Sequence, residues 1–86
     1  MIRYFVVLSY GWSRKGILFP YDPIEVPSAS HAVRLAERLA TDCAGVVAFS
    51  RIGDPTTGDF EDAEVLTRFG IVPEIDGYPT ALVEIG

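Results

Sequence analysis

GDPTTGDF, at residues 53–60, decides the fold because it determines how the chain leaves the apolar run AGVVAFSRI at 44–52. That run predicts a buried β-strand. Asp54 and Pro55 are typical of the start of a turn, and Gly58 can adopt the positive φ that such a turn requires. The segment therefore predicts a chain reversal, with a hairpin if a second strand follows.

The same segment partly matches a phosphate-binding loop. Gly53 and Gly58 have the spacing of the motif G-x-x-x-x-G-K-[ST]. In that motif a Lys and a hydroxyl residue after the second glycine contact the phosphates and Mg²⁺. Asp59 and Phe60 occupy those positions here, and an aspartate repels phosphate. The residues therefore argue against phosphate binding by this loop.

Four carboxylates in and after the turn form the candidate metal site of the sequence: Asp54, Asp59, Glu61 and Asp62. Ca²⁺ takes about six to eight oxygen ligands, and threonines and loop carbonyls could add some. The spacing does not match an EF-hand loop, where acidic residues recur at alternate positions. We expect a structural turn without a metal, and a weak Ca²⁺ site is the alternative.

Residues 62–69, DAEVLTRF, fit two periodicities. With a period of two, Ala63, Val65, Thr67 and Phe69 face inward, whereas a period of 3.6 places Ala63 and Phe69 on one helical face with Phe60 and Leu66. We favour a strand paired with 46–52, because VLTRF is rich in β-forming residues and follows a glycine-containing turn.

The remaining elements complete an α+β pattern. IRYFVVLSY at 2–10 is apolar on both faces and predicts a central strand, and GWSRKG links it to ILF as a hairpin. The three prolines of PYDPIEVP predict an extended edge segment. Ser28 can cap a helix at about 29–43, whose apolar stripe includes Cys43. EIDGYPT predicts a turn and ALVEIG a short final strand.

We therefore expect one domain over residues 1–86, with one principal helix packed on an antiparallel sheet of four or five strands. Seven basic against twelve acidic residues give a net charge of −5, which argues against nucleic-acid binding. The N-terminal apolar run is too short for a membrane span, and it lacks a small-residue cleavage site, so no signal peptide is expected. The single cysteine suits a reducing compartment, so a cytoplasmic location is expected.

His31 and Cys43 are the residues that could act as a general base and a nucleophile. On one helix they are about 18 Å apart along the axis, too far for a catalytic dyad. One His and one Cys do not supply a zinc site. No catalytic residue and no cofactor are predicted.

The candidate binding residues are Tyr10, Trp12, Arg14 and Lys15 in the segment SYGWSRKG. They place two aromatic side chains beside two cations at a chain reversal. Such a tip could contact an acidic partner, or Arg14 could stack on Trp12. In the alternative, the two aromatic rings cover one end of the core and the cations lie in water.

AGVVAFSRIGDPTTGDFEDAEVLTRFG, residues 44–70, resembles a segment of small uncharacterised bacterial proteins with a strand, a D-P-x-T-G turn and a second strand. The resemblance covers about a third of the chain and implies a hairpin, but no activity or catalytic residue.

The function expected from these features is a small non-enzymatic protein-interaction domain. A homodimer through the edge of the final strand, around Leu82, is one possible form. The alternative function is a small-ligand binder or enzyme with a site formed by the Tyr10–Lys15 loop and the acidic 54–62 loop.

Overall fold

The computed structural model of the chain describes residues 1–73. These residues form β1 (Ile2–Trp12), β2 (Leu18–Pro20), β3 (Ile24–Val26), α1 (Ala29–Leu39), β4 (Gly45–Asp54), β5 (Asp59–Phe60) and β6 (Glu64–Gly70). A helix packed against an antiparallel sheet confirms the predicted α+β class. The predicted turn EIDGYPT and the predicted strand ALVEIG with Leu82 lie outside the described residues.

The sheet is built on β1 and β4, which pair antiparallel from Ile2 opposite Gly53 to Tyr10 opposite Gly45. Both β2 and β3 pair with the outer side of β1, and both β5 and β6 pair with the outer side of β4. The six described strands therefore occupy four positions across the sheet. β1 is a central strand, as its two apolar faces predicted.

Residues 62–69 contain a strand rather than a helix. β6 pairs antiparallel with β4, so the predicted pairing with 46–52 is confirmed. The register shifts where Phe49 lies opposite Val65 and Ala48 lies opposite Thr67, which leaves Leu66 as the extra residue of a β-bulge. The bulge lets Leu66 pack on the side of the sheet that carries the helix.

The start of α1 follows the sequence prediction. Ser28 is in an extended conformation, and its Oγ accepts a hydrogen bond from the backbone N–H of His31 at 3.2 Å. Ala32 and Ala36 are fully buried against the sheet. Their small side chains allow the helix to lie close to β1 and β4.

The end of α1 differs from the prediction of a helix to residue 43. The helix ends at Leu39, and the hydroxyl of Thr41 donates to the carbonyl oxygen of Arg38 at 2.9 Å. The backbone N–H of Cys43 still bonds to the Leu39 carbonyl, so the chain continues in tight turns. Cys43 is half-buried and packs against the core, which explains why the apolar stripe extends past the helix.

The core has one cluster on each face of the sheet. The cluster under α1 contains these buried residues: Val7, Val26, Ala32, Ala36, Val46 and Ala48. The cluster on the opposite face contains Leu8, Tyr10, Val47, Phe49 and Val72. Among the described residues no helix lies on that second face, which we call the helix-free face.

The helix-free face carries alternate residues of β1: Ile2, Tyr4, Val6, Leu8, Tyr10 and Trp12. Its centre is buried, whereas Ile2 at one end and Trp12 at the other are about half exposed. This face therefore presents apolar side chains at both of its ends.

In residues 1–73, no helix is long and apolar enough to cross a membrane.

Candidate functional site

The hairpin between β1 and β2 has a backbone fixed by its own hydrogen bonds. We call residues 12–17 the hairpin tip. The Oγ of Ser13 accepts from the backbone N–H groups of Lys15 at 3.2 Å and Ile17 at 3.1 Å. The N–H of Gly16 donates to the Ser13 carbonyl at 3.0 Å, and the φ of Gly16 is +76°. Glycine adopts this left-handed conformation without strain, so the tip keeps a defined shape.

The hairpin tip presents apolar and cationic side chains to solvent. Trp12 is 54% exposed and Ile17 is 62% exposed. Arg14 and Lys15 are also exposed, and neither forms an ion pair with a residue in the described range. Within that range the cation–π contact is made by Arg51 on Phe60, not by Arg14 on Trp12. The tip can therefore offer two cations beside an indole ring.

Tyr10 is separated from the other three predicted binding residues. Only 1% of its surface is exposed, and its hydroxyl has no hydrogen-bond partner within residues 1–73. Burial raises the pKa of this phenol to about 12, so it stays neutral at physiological pH. Tyr10 is paired with Gly45, whereas Trp12 lies beyond the last β4 pair and remains exposed. The structure thus leaves Trp12, Arg14 and Lys15 exposed on the hairpin tip and places Tyr10 in the core.

The turn after β4 is organised around Asp54. Its carboxylate accepts hydrogen bonds from the N–H of Thr56 at 2.9 Å and from the Thr56 hydroxyl at 2.6 Å. These bonds hold the pKa of Asp54 below its ordinary value, because they stabilise the charged form. Gly58 has a φ of +78°, and its N–H bonds to the Asp54 carbonyl. The Asp54 carboxylate is therefore used in the hydrogen bonds of the turn itself.

The segment DFED, residues 59–62, follows this turn, and we call it the acidic end. Its side chains are exposed. Asp59, Glu61 and Asp62 form no ion pair within residues 1–73. No group of three or more His, Cys, Asp or Glu side chains is arranged to hold a metal ion in the described part of the chain. The acidic end is thus a cluster of charges in water.

The hairpin tip and the acidic end lie at opposite ends of the sheet. Trp12 closes one end of β1, while Ile2 at the other end pairs with Gly53, which pairs in turn with Phe60. The ten residue steps of β1 span about 33 Å. One chain therefore does not join the Tyr10–Lys15 loop and the acidic 54–62 loop in a single site.

The sequence alone did not single out an aromatic cluster at the acidic end. The ring of Phe60 lies over Gly53, and its centroid is 6.0 Å from that of Tyr4. The guanidinium carbon of Arg51 lies 5.0 Å from the Phe60 centroid, and Arg51 Nε donates to the Glu61 carbonyl at 2.9 Å. The sequence did contain a signal for this cluster, because Gly53 ends a strand and Phe60 follows across the turn. In such an arrangement the aromatic ring can cover the glycine.

His31, the one histidine of the chain, is exposed in the first turn of α1. Cys43 packs against the core below the other end of the helix.

No protein-family model matches the chain, and the searches of curated proteins and of solved structures returned no match.

Proposed function

We propose that the chain is a small non-enzymatic protein-interaction domain that binds an acidic protein surface through the hairpin tip. The observation that carries this proposal is the exposure of Trp12 and Ile17 beside two cations without ion-pair partners in the described residues. Trp and Arg are the residue types that most often dominate binding energy at protein interfaces.

The rigid backbone of the tip supports the same function. Because Ser13 already bonds to the N–H groups of Lys15 and Ile17, the loop loses little conformational freedom when a partner binds. The two cations also attract an acidic partner during the approach, which accelerates association at low ionic strength.

An enzyme or small-ligand site is less well supported. The alternative site needed the Tyr10–Lys15 loop and the acidic loop together, and one chain holds them about 33 Å apart. Tyr10 is buried, and Asp54 is engaged by Thr56 in its own turn. Because the parts of the alternative site are separated or already engaged, we favour binding by the exposed tip over an enzyme or small-ligand site. A cytoplasmic location remains part of the proposal.

The experiment compares two variants with the same loss of charge. Arg14→Gln/Lys15→Gln removes the cations of the tip, and Arg34→Gln/Arg38→Gln removes two exposed cations of α1 as the matched control. Tagged proteins capture partners from a lysate of the native source. Trp12 is the one tryptophan of the chain, so its fluorescence then reports binding of a purified partner at the tip.

We expect wild type and the α1 control to retain the same partner and the tip variant to lose it. Binding should shift the Trp12 emission to shorter wavelength, because the indole leaves water. Equal retention by the tip variant, together with an unchanged Trp12 emission, would contradict the proposal.

A further inference from the structure

The hairpin of β1 and β2 continues past the place where the neighbouring strand begins. β4 starts at Gly45, opposite Tyr10, so within the described residues Gly11 and Trp12 pair with β2 alone. We call residues 11–21 the hairpin arm, and the hairpin tip is its outer part. Because the arm is a ribbon of two strands at this point, a partner can approach it from both faces.

The two faces of the hairpin arm carry different exposed apolar side chains. Trp12 lies on the helix-free face. Phe19 pairs with Gly11 on the other face, and the alternation of the strand places Ile17 and Tyr21 on the same side as Phe19. Trp12 is 54% exposed on the first face, and Ile17 and Tyr21 are 62% and 47% exposed on the second. Apolar surface is therefore presented in two opposite directions.

The aromatic rings on the second face are held in place by the arm itself. The ring of Tyr21 lies over Gly11 and occupies the space that a side chain at position 11 would fill. Its centroid is 5.0 Å from that of Phe19 in an edge-to-face arrangement. The backbone N–H of Tyr21 also donates to the Ser9 carbonyl at 2.8 Å. Since these side chains are already positioned, little rotamer freedom is lost when a partner binds.

The shape of a matching partner follows from this arrangement. A flat surface can contact one face of the arm and leaves the apolar side chains of the other face in water. A cleft can cover Trp12 on one wall and Ile17 and Tyr21 on the other. Arg14 and Lys15 lie at the closed end of the hairpin between the two strands, so they would meet the floor of such a cleft.

We propose that the hairpin arm inserts into a cleft of its partner protein, with apolar walls against its two faces and carboxylates at the floor. The inference rests on the proposed function, because it specifies the shape of the acidic partner that the tip binds. Asp22 follows Tyr21 at the base of the arm. The carboxylates of the partner therefore belong at the floor, beside Arg14 and Lys15, and not at the rim of the cleft.

The test removes the apolar side chains of one face at a time. The probe is the protein that wild type retains from the lysate and Arg14→Gln/Lys15→Gln loses, purified and titrated by calorimetry. Trp12→Ser alters one face, and Ile17→Ser/Tyr21→Ser alters the other. Ile2→Ser is the matched control, because Ile2 is a half-exposed apolar residue at the far end of β1. Thermal melting shows whether each variant is folded, and Ile17→Ser alone serves if the double variant is not.

We expect Trp12→Ser and the variant of the opposite face each to weaken binding by about tenfold or more, and Ile2→Ser to bind as wild type does. A loss confined to one face would overturn the cleft and leave the proposed function standing, because a flat acidic surface would explain it. Wild-type affinity in both face variants, or an equal loss in Ile2→Ser, would also overturn the inference. If no protein depends on Arg14 and Lys15 for its retention, the inference and the proposed function both fail.

Discussion

The ring of Phe60 covers Gly53 across the turn between β4 and β5, and a Cβ built on Gly53 would overlap that ring. The contact holds the acidic end against the sheet, with Tyr4 and Arg51 beside the ring. Glycine is needed here because the aromatic side chain occupies the space of a side chain at position 53.

Gly53→Ala should therefore destabilise the fold by about 1–3 kcal/mol, the range typical of an overpacked site. The half-exposed ring of Phe60 can swing toward solvent, which limits the loss. Urea unfolding measures the change. In a Phe60→Ala background the same Gly53→Ala substitution should cost less, because no ring remains to clash. Equal losses in the two backgrounds would show that the ring contact is not the cause.

Tyr10→Phe should leave stability unchanged or raise the free energy of unfolding by about 1 kcal/mol, because a buried hydroxyl without a hydrogen-bond partner is unfavourable. The alkaline side of the stability profile gives a second test. The pKa of Tyr10 is raised from 10.0 to about 12, so between those pH values the unfolded chain binds fewer protons than the folded one.

Wild-type stability should consequently fall as the pH rises from about 10 to 12, and Tyr10→Phe should lose less over the same window. The control is Tyr21→Phe, at an exposed tyrosine. Parallel pH profiles for wild type and Tyr10→Phe would mean that the Tyr10 phenol ionises as readily in the folded chain as in the unfolded one.

Asp54→Ala should lower stability at neutral pH, because it removes the acceptor of two hydrogen bonds from Thr56. The lowered pKa of Asp54 fixes the pH dependence: its stabilisation is present above the unfolded pKa and is lost as the pH falls through the folded value. The gap between wild type and Asp54→Ala should close in acid. Asp59→Ala is the control, and an equal effect at both sites would argue against a specific role of Asp54.

Millimolar Ca²⁺ or Mg²⁺ should leave the melting temperature nearly unchanged, because the carboxylates near the turn are predicted to be structural or solvated. A metal at 100 times its Kd would add about 2.7 kcal/mol. For a domain of this size that corresponds to a rise of roughly 10 °C or more. A rise of that order, abolished by Asp59→Asn/Asp62→Asn, would establish the weak metal site instead.

The sequence was sufficient to predict the pairing of β4 with β6 and the start of α1, because alternation and capping are local signals. It did not predict the end of α1 at Leu39, since Ala40 and Cys43 keep packing on the core after the helical hydrogen bonds end. Nor did it predict the bulge at Leu66, because a pattern of apolar residues does not reveal where one residue is inserted into a pair.

Only part of the candidate site was predicted, because the rest depends on contacts between residues that are distant in sequence. Tyr10 and Trp12 lie on one face of β1, and their sequence context is similar. Only the register of β4, which ends opposite Tyr10, places one ring in the core and the other in solvent. That register depends on contacts distant in sequence, and so does the position of Phe60 over Gly53.

Zero-length cross-linking of lysine to carboxylate tests the central claim most directly. Lys15 is the one lysine of the chain, and it lies about 33 Å from the acidic end of its own copy, so a zero-length link cannot join the two within one chain. We expect Lys15 to become linked to a carboxylate of the acidic partner that the hairpin tip binds, and the link to be lost at high salt. A Lys15 that stays unlinked at low salt in the presence of a partner captured by wild type would contradict the proposed function.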